Sequence, residues 1–284
     1  MRTILNKLQT HFARPYLTSK AMTKGISVFC MCLLGVDLQS QDASDLAKQT
    51  QNPVSDLISV PFQYNANFDV GPNDDLQSVL NIQPVIPFSL NDDWNLISRT
   101  IIPVIDQPSL APGLDEEFGI GDINFSFFLS PKESGSIIWG LGPILSLPTA
   151  THDVLGTGKV GVGPSAVALT MKGPWVFGAL ANNVWSIAGE GGRQTVNQLL
   201  VQPFVNYNLP KGWYLVSGPV LTANWEADSD DRWTVPIGGG FGKIFKIGNL
   251  PVNSTLQAYG NVVRPSSGAT WQLRFQVQLL FPKN

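Results

Sequence analysis

Residues 271–284 read WQLRFQVQLLFPKN. Trp271, Leu273, Phe275, Val277, Leu279 and Phe281 alternate with Gln272, Arg274, Gln276 and Gln278. Side chains of an extended strand point alternately to opposite faces, so the apolar set shares one face and the polar set the other. Two architectures make that pattern. One is a sheet packed on a soluble core, and the other is a barrel wall with lipid outside and water inside. The rest of the chain decides between them.

Composition already leans one way. Of 284 residues, 43% are hydrophobic and only 14% are charged. Charged residues usually make up about 25% of a soluble domain, so this surface is poor in charge. No apolar run reaches the roughly 20 residues that a spanning helix needs, which excludes a helical membrane protein. The longest is ISVFCMCLLGV at 26–36. Arg2, Lys7, Arg14, Lys20 and Lys24 precede it, and no acidic residue stands before Asp37. A basic region, a short apolar core and a polar sequel describe a secretory signal, expected over 1–40. An internal start at Met22 would shorten its basic region, and cleavage after Ser40 fits best.

Removal of that leader takes Cys30 and Cys32, the only two cysteines. A mature chain without thiols holds no disulfide framework and no cysteine-ligated metal. From residue 41 onward there are 13 Lys and Arg against 20 Asp and Glu, a formal charge of −7. That balance argues against nucleic acid as a partner. Nothing in the sequence asks for a cofactor.

The terminal pattern recurs. After a polar stretch at 41–57, with a short helix expected near 43–51, twelve strand-like segments follow. They cover 59–69, 79–90, 94–105, 120–130, 137–147, 160–171, 175–187, 196–208, 213–225, 233–245, 252–263 and 271–281. Most run about 11–13 residues, long for a globular strand but suited to a tilted strand crossing a bilayer. Alternate connections are short (LNDDW, PKESGS, MKGPW, NLPKGW, KIGNLP). The others are expected to be longer, from GPNDDLQS and QPSLAPGLDEEFG to RPSSGAT. Short turns at one end and long loops at the other mark outer-membrane barrels. An even strand count leaves both ends of the barrel chain on the short-turn, periplasmic side.

The two faces carry the same message. Trp213 and Trp225 share a face twelve residues apart, which is roughly 30 Å of vertical rise at a 40° tilt. Trp94, Trp175, Trp233 and Trp271 also begin segments. These six rings are expected to form the aromatic girdles at the two membrane interfaces. The opposite face is rich in amides. Gln63, Asn65, Asn67, Gln83, Arg99 and Asn124 come from the first half. Gln198, Gln202, Asn206, Gln257, Tyr259, Gln272, Arg274, Gln276 and Gln278 come from the second. Lipid cannot hydrate such a row, so it is expected to line a polar lumen. Segments five, six, seven and ten are less clear, with Gly140, Gly142, Gly161, Gly163, Gly238, Gly240 and Gly242 suggesting close packing or bulges. Asn182 and Asn183 are adjacent, so one of them breaks the alternation. The expected fold is all-β: a single antiparallel up-and-down transmembrane barrel of about 12 strands over 58–284. Residues 41–57 are expected to lie in the periplasm or to fold into the lumen as a plug.

Several stretches together resemble a bacterial outer-membrane family grouped with the MetA pathway of phenol degradation, some members of which carry the label neuromedin U. They include QNPVSDLISVPFQYN, NIQPVIPFSL, FGIGDINFSFFLSPK, GLGPILSLPTAT, LLVQPFVNYNLPKGWYL, WTVPIGGGFGKIF and RFQVQLLFPK. The resemblance runs from about residue 47 to the end. It implies a transporter-like barrel in the outer membrane of a Gram-negative bacterium, with no agreed catalytic residue. Barrel-assembly machinery usually reads a terminal aromatic residue. Phe281 fills that role here, although Pro282, Lys283 and Asn284 follow it.

The leading functional expectation is a passive channel for small solutes, with outer-membrane lipid and lipopolysaccharide around it. Twelve strands give a backbone diameter of roughly 24 Å, narrower than a wide porin. Few charges fall on the inner face, chiefly Asp69, Arg99, Asp122 and Arg274. Uncharged or weakly polar solutes are therefore expected, with aromatic ones suggested by the resemblance alone. A barrel sealed by its own amides is a competing reading. A third is a lipid-modifying hydrolase or acyltransferase using His152, with Ser146 or Ser165 as nucleophile. No G-x-S-x-G or H-E-x-x-H supports it. A fourth has Asp115, Glu116, Glu117, Asp228, Asp230 and Asp231 holding divalent ions at lipopolysaccharide, without full calcium-loop spacing. The glycine-rich runs GVGPSAVALTMKG and PIGGGFGK sit in strand patterns with no following helix, so they are not phosphate loops.

Overall fold

The computed structural model describes residues 46–111 and 113–281. The expected leader at 1–40 and the terminal Pro282–Asn284 lie outside them. Fifteen strands form one antiparallel sheet. They are β1 Ile58–Val70, β2 Asp75–Ile82, β3 Val85–Ser89, β4 Trp94–Gln107, β5 Glu117–Ile120, β6 Ile123–Pro131, β7 Ile138–Leu147, β8 Lys159–Lys172, β9 Trp175–Gly189, β10 Asn197–Asn208, β11 Trp213–Ser217, β12 Leu221–Asn224, β13 Trp233–Ile247, β14 Leu250–Val263 and β15 Trp271–Phe281.

Three pairs are single staves broken once. Pro84 lacks the N–H that would link β2 to β3. Gly121-Asp122 separates β5 from β6, and Gly218-Pro219 separates β11 from β12. Fifteen strands thus make twelve staves. Each stave pairs with its sequence neighbour, and β1 pairs with β15 from Ile58↔Phe281 to Phe68↔Trp271. That last ladder closes the barrel and leaves no open edge.

Connection lengths follow the expected alternation, with one correction. The turn after β1 spans only residues 71–74. Asp75–Ser78 extend the second stave instead of joining the loop, because Asp69, Gly71 and Asp74 take positive φ and turn the chain tightly. Two-residue hairpins join β8 to β9 and β13 to β14, and Gly173 and Gly248 supply the left-handed residue each needs.

Register fixes the faces. Phe62, Phe88, Phe118, Leu141, Leu215 and Ile237 point outward and are exposed, Phe118 by 67% and Ile237 by 63%. A water-soluble protein does not surround itself with such a band. Closed pairing, an apolar outside and an amide-rich inside define an outer-membrane β-barrel. Asn182 points inward, since it pairs with Leu200 beside the inward Gln202. Asn183 is the outward exception. Its Nδ2 donates to Asn197 Oδ1 at 3.0 Å, and its Oδ1 accepts the Trp225 indole N–H at 3.1 Å.

Candidate functional site

The lumen has two unlike walls. The first carries Ile97 from β4, Phe128 from β6, Val167 and Leu169 from β8, and Val176 and Leu180 from β9. All point inward near the short-turn end. Sequence reasoning missed this apolar quadrant: Val167, Leu169, Val176 and Leu180 lie in the unclear segments six and seven, and Ile97 and Phe128 in segments three and four. On β8 and β9 apolar residues fall on both faces, so alternation is lost there, whereas on β4 and β6 single apolar residues interrupt a polar inner face.

An inner segment covers that quadrant. The chain is helical at 46–50, within the stretch where a short helix was expected. Asn52-Pro53 ends the helix, and the Val54 N–H donates to Asn52 Oδ1 at 3.0 Å. Val54 is buried against the six apolar residues above. Ala47 is buried against Tyr214 and Ile244 on the far wall. Gln51 and Asn208 exchange reciprocal amide hydrogen bonds at 2.9 and 3.2 Å. Gly140 makes the docking possible, because a Cβ there would lie 3.0 Å from Val54 Cγ1.

The second wall is the amide wall. A cavity of about 200 Å³ lies between it and the inner segment. Nine of the fifteen expected lumen residues line it: Gln63, Gln83, Arg99, Gln202, Asn206, Gln257, Arg274, Gln276 and Gln278. Asn65, Asn67, Tyr259 and Gln272 adjoin it, and Asn124 and Gln198 lie apart from it. Asn65 Oδ1 accepts from Arg274 Nε at 3.1 Å. Asn67 joins Gln77 and Gln272 in a chain of side-chain amides. The Tyr259 hydroxyl donates to Gln257 Oε1 and accepts from the Gly218 N–H at 2.9 Å. Asn124 donates to the Asp122 carbonyl near the long-loop end. Gln198 borders a separate space of about 440 Å³ under the long loops, beside Thr157, Arg193 and Thr195.

Charges do not distribute as the alternation suggested. Asp122 is committed to a loop, accepting from the Thr157 N–H at 2.6 Å and the Thr157 hydroxyl at 2.8 Å. Asp69 accepts from the Thr270 hydroxyl at the long-loop end. Neither lines the cavity. The two arginines do. Arg274 is 95% buried, its Nη1 donates to the Gly218 carbonyl at 3.0 Å, and its guanidinium lies 4.9 Å from the Tyr259 ring centre.

The six expected girdle residues all project outward. Trp94 meets Trp139, Trp175 meets Tyr207 and Trp213 meets Phe241 at the short-turn end. Trp225 meets Trp233, and Trp271 stacks on Phe68, at the other end. His152 stands in a long loop with Nδ1 3.1 Å from Glu117 Oε2. Among the described residues no serine is hydrogen-bonded to it, so the nucleophile–histidine pair lacks its geometry. Among them, too, no three acidic or histidine side chains converge on a metal-sized space.

The fold is shared with known channels. Over 79% of this chain and 95% of the other, it superimposes on the COG4313 outer membrane channel from Pseudomonas putida F1, with a TM-score of 0.64 and 17% identity. The NanC porin matches over 80% of this chain and all of its own, with a TM-score of 0.50 and 9% identity. No protein-family model and no curated protein matches the sequence.

Proposed function

We propose that the protein is an outer-membrane channel passing small organic solutes by passive diffusion, with the 46–57 segment as its movable constriction. The observation that carries this is how the lumen is closed. A barrel sealed by wall side chains opens only as far as those side chains can rotate within the fixed ladders. Here the closure is a separate segment whose wall contacts include Val54, Ala47 with Leu46, and the Gln51–Asn208 amide pair, beside unfilled space. Such contacts release at a cost far below that of breaking the sheet. The channel character of the two superimposed proteins supports the same reading.

The amide wall suits uncharged or weakly polar groups, and aromatic bodies fit beside Phe204 and Tyr214. Trp94, Trp175, Trp213, Trp225, Trp233 and Trp271 anchor the barrel in outer-membrane lipid and lipopolysaccharide. β15 with Phe281 is the strand that assembly machinery would engage.

The test is single-channel conductance of the folded protein in planar bilayers, with and without residues 41–52. Small discrete steps that grow several-fold in the deletion are expected. Folded protein that stays silent in both forms would point to a sealed structural barrel instead.

A further inference from the structure

Among the described residues, the cavity is lined by two guanidiniums and by no carboxylate. Arg274 spends Nε, Nη1 and Nη2 on Asn65, the Gly218 carbonyl and Gln272, all neutral acceptors. Among the described residues Arg99 makes one side-chain hydrogen bond, from Nη2 to Gln83 Oε1 at 2.7 Å. A guanidinium has five N–H donors in a planar fork, so most of the Arg99 fork is unused. Neither arginine is within ion-pair distance of an acidic side chain among the described residues. The two acids that would have balanced them sit towards the long-loop end, engaged by Thr157 and Thr270.

Cations held inside a membrane barrel without an acid partner are costly, and they mark the place where a solute charge arrives. The neighbouring surface defines the rest of the ligand. Val85, Leu180, Phe204 and Val216 line the same cavity and offer no hydrogen bonds from their side chains. A compact apolar body with one acidic end matches both halves. We propose that Arg99, supported by Arg274, forms a carboxylate subsite, and that the solutes are small organic monoacids. This changes the substrate class of the channel proposed above, adding one acidic end to the weakly polar body that the amides alone suit, and it rests on that channel reading. The subsite itself does not depend on conduction.

Sodium benzoate and its uncharged analogue benzamide are the probes, titrated calorimetrically into the detergent-folded full chain. Benzoate should bind about tenfold more tightly, the scale of one charge-assisted fork. Arg99→Gln should bring the two affinities together, and Arg99→Lys should keep part of the preference because it keeps the charge. Heat-modifiable mobility on gels confirms that each variant is folded. Equal affinities in the wild type, or a preference that survives Arg99→Gln, would overturn the subsite. Conductance separates the two claims. A protein that prefers benzoate but conducts nothing keeps the subsite and removes the channel. One that conducts without preference keeps the channel and removes the subsite.

Discussion

Gly140 has no room for a side chain. Its missing Cβ would meet Val54 Cγ1 at 3.0 Å, Phe128 Cβ at 3.1 Å and Val167 Cγ1 at 3.4 Å. The Phe128 and Val167 atoms belong to the wall, so the inner segment is the partner that can yield. Overpacking of this kind costs about 1–3 kcal/mol. Gly140→Ala should therefore shift the segment off the wall and raise the open-time fraction of single channels by roughly tenfold, the equivalent of 1.4 kcal/mol. Val54→Ala removes the methyl that collides, so adding Gly140→Ala to it should change the open fraction little. An unaltered open fraction in Gly140→Ala would mean that Val54 does not gate the lumen. The sequence flagged Gly140 as a site of close packing but not what packs there, since Val54 lies 86 positions away. Arg99 and Arg274 were legible from alternation alone. Their lack of acidic company was not, because Asp122 fits the same alternation and is diverted only by a loop that folds back on it.

At the scale of elements, the staves were readable and the inner segment was not. Each stave lies within a few residues of its expected place, because lipid on one side and amides on the other impose a period of two. The period fails on β7 and β8, where Ile144, Val167 and Leu169 point inward among lipid-facing neighbours. It fails because the inner segment presents an apolar surface of its own, so that wall has no polar side. The segment itself gave only a helix-forming run stopped by Asn52-Pro53, which fits a periplasmic tail equally well. Its mobility can be tested directly. The Gly140 Cβ position and Val54 Cγ1 are within disulfide reach. In a chain with Cys30→Ser and Cys32→Ser, the pair Gly140→Cys and Val54→Cys should cross-link on oxidation. Conductance should fall to the closed level when oxidised and recover on adding dithiothreitol. Full conductance from the cross-linked protein would show that solutes pass without displacing the segment.

The whole molecule rests on one assignment, that adjacent residues of a stave face opposite solvents. Phe62 and Gln63 test it within a single peptide unit. Phe62 is outward and partly exposed, and Gln63 lines the cavity with its Nε2 donating to Asn65 Oδ1 at 3.3 Å. An arginine facing hydrocarbon near the bilayer centre costs about 2–4 kcal/mol, and less towards the interface. An arginine facing a hydrated lumen loses little solvation. Phe62→Arg should therefore lower folding stability by about 2 kcal/mol in urea titrations with lipid vesicles. Gln63→Arg should stay within about 0.5 kcal/mol of the wild type. It should also add anion preference to the conductance, since it brings a third guanidinium to a cavity lined by two. A soluble sandwich predicts a different order, because there the amide face is the surface and both substitutions are measured without lipid dependence. If Phe62→Arg were equally stable with and without vesicles, β1 would not be a membrane stave, and the channel built on it would fall.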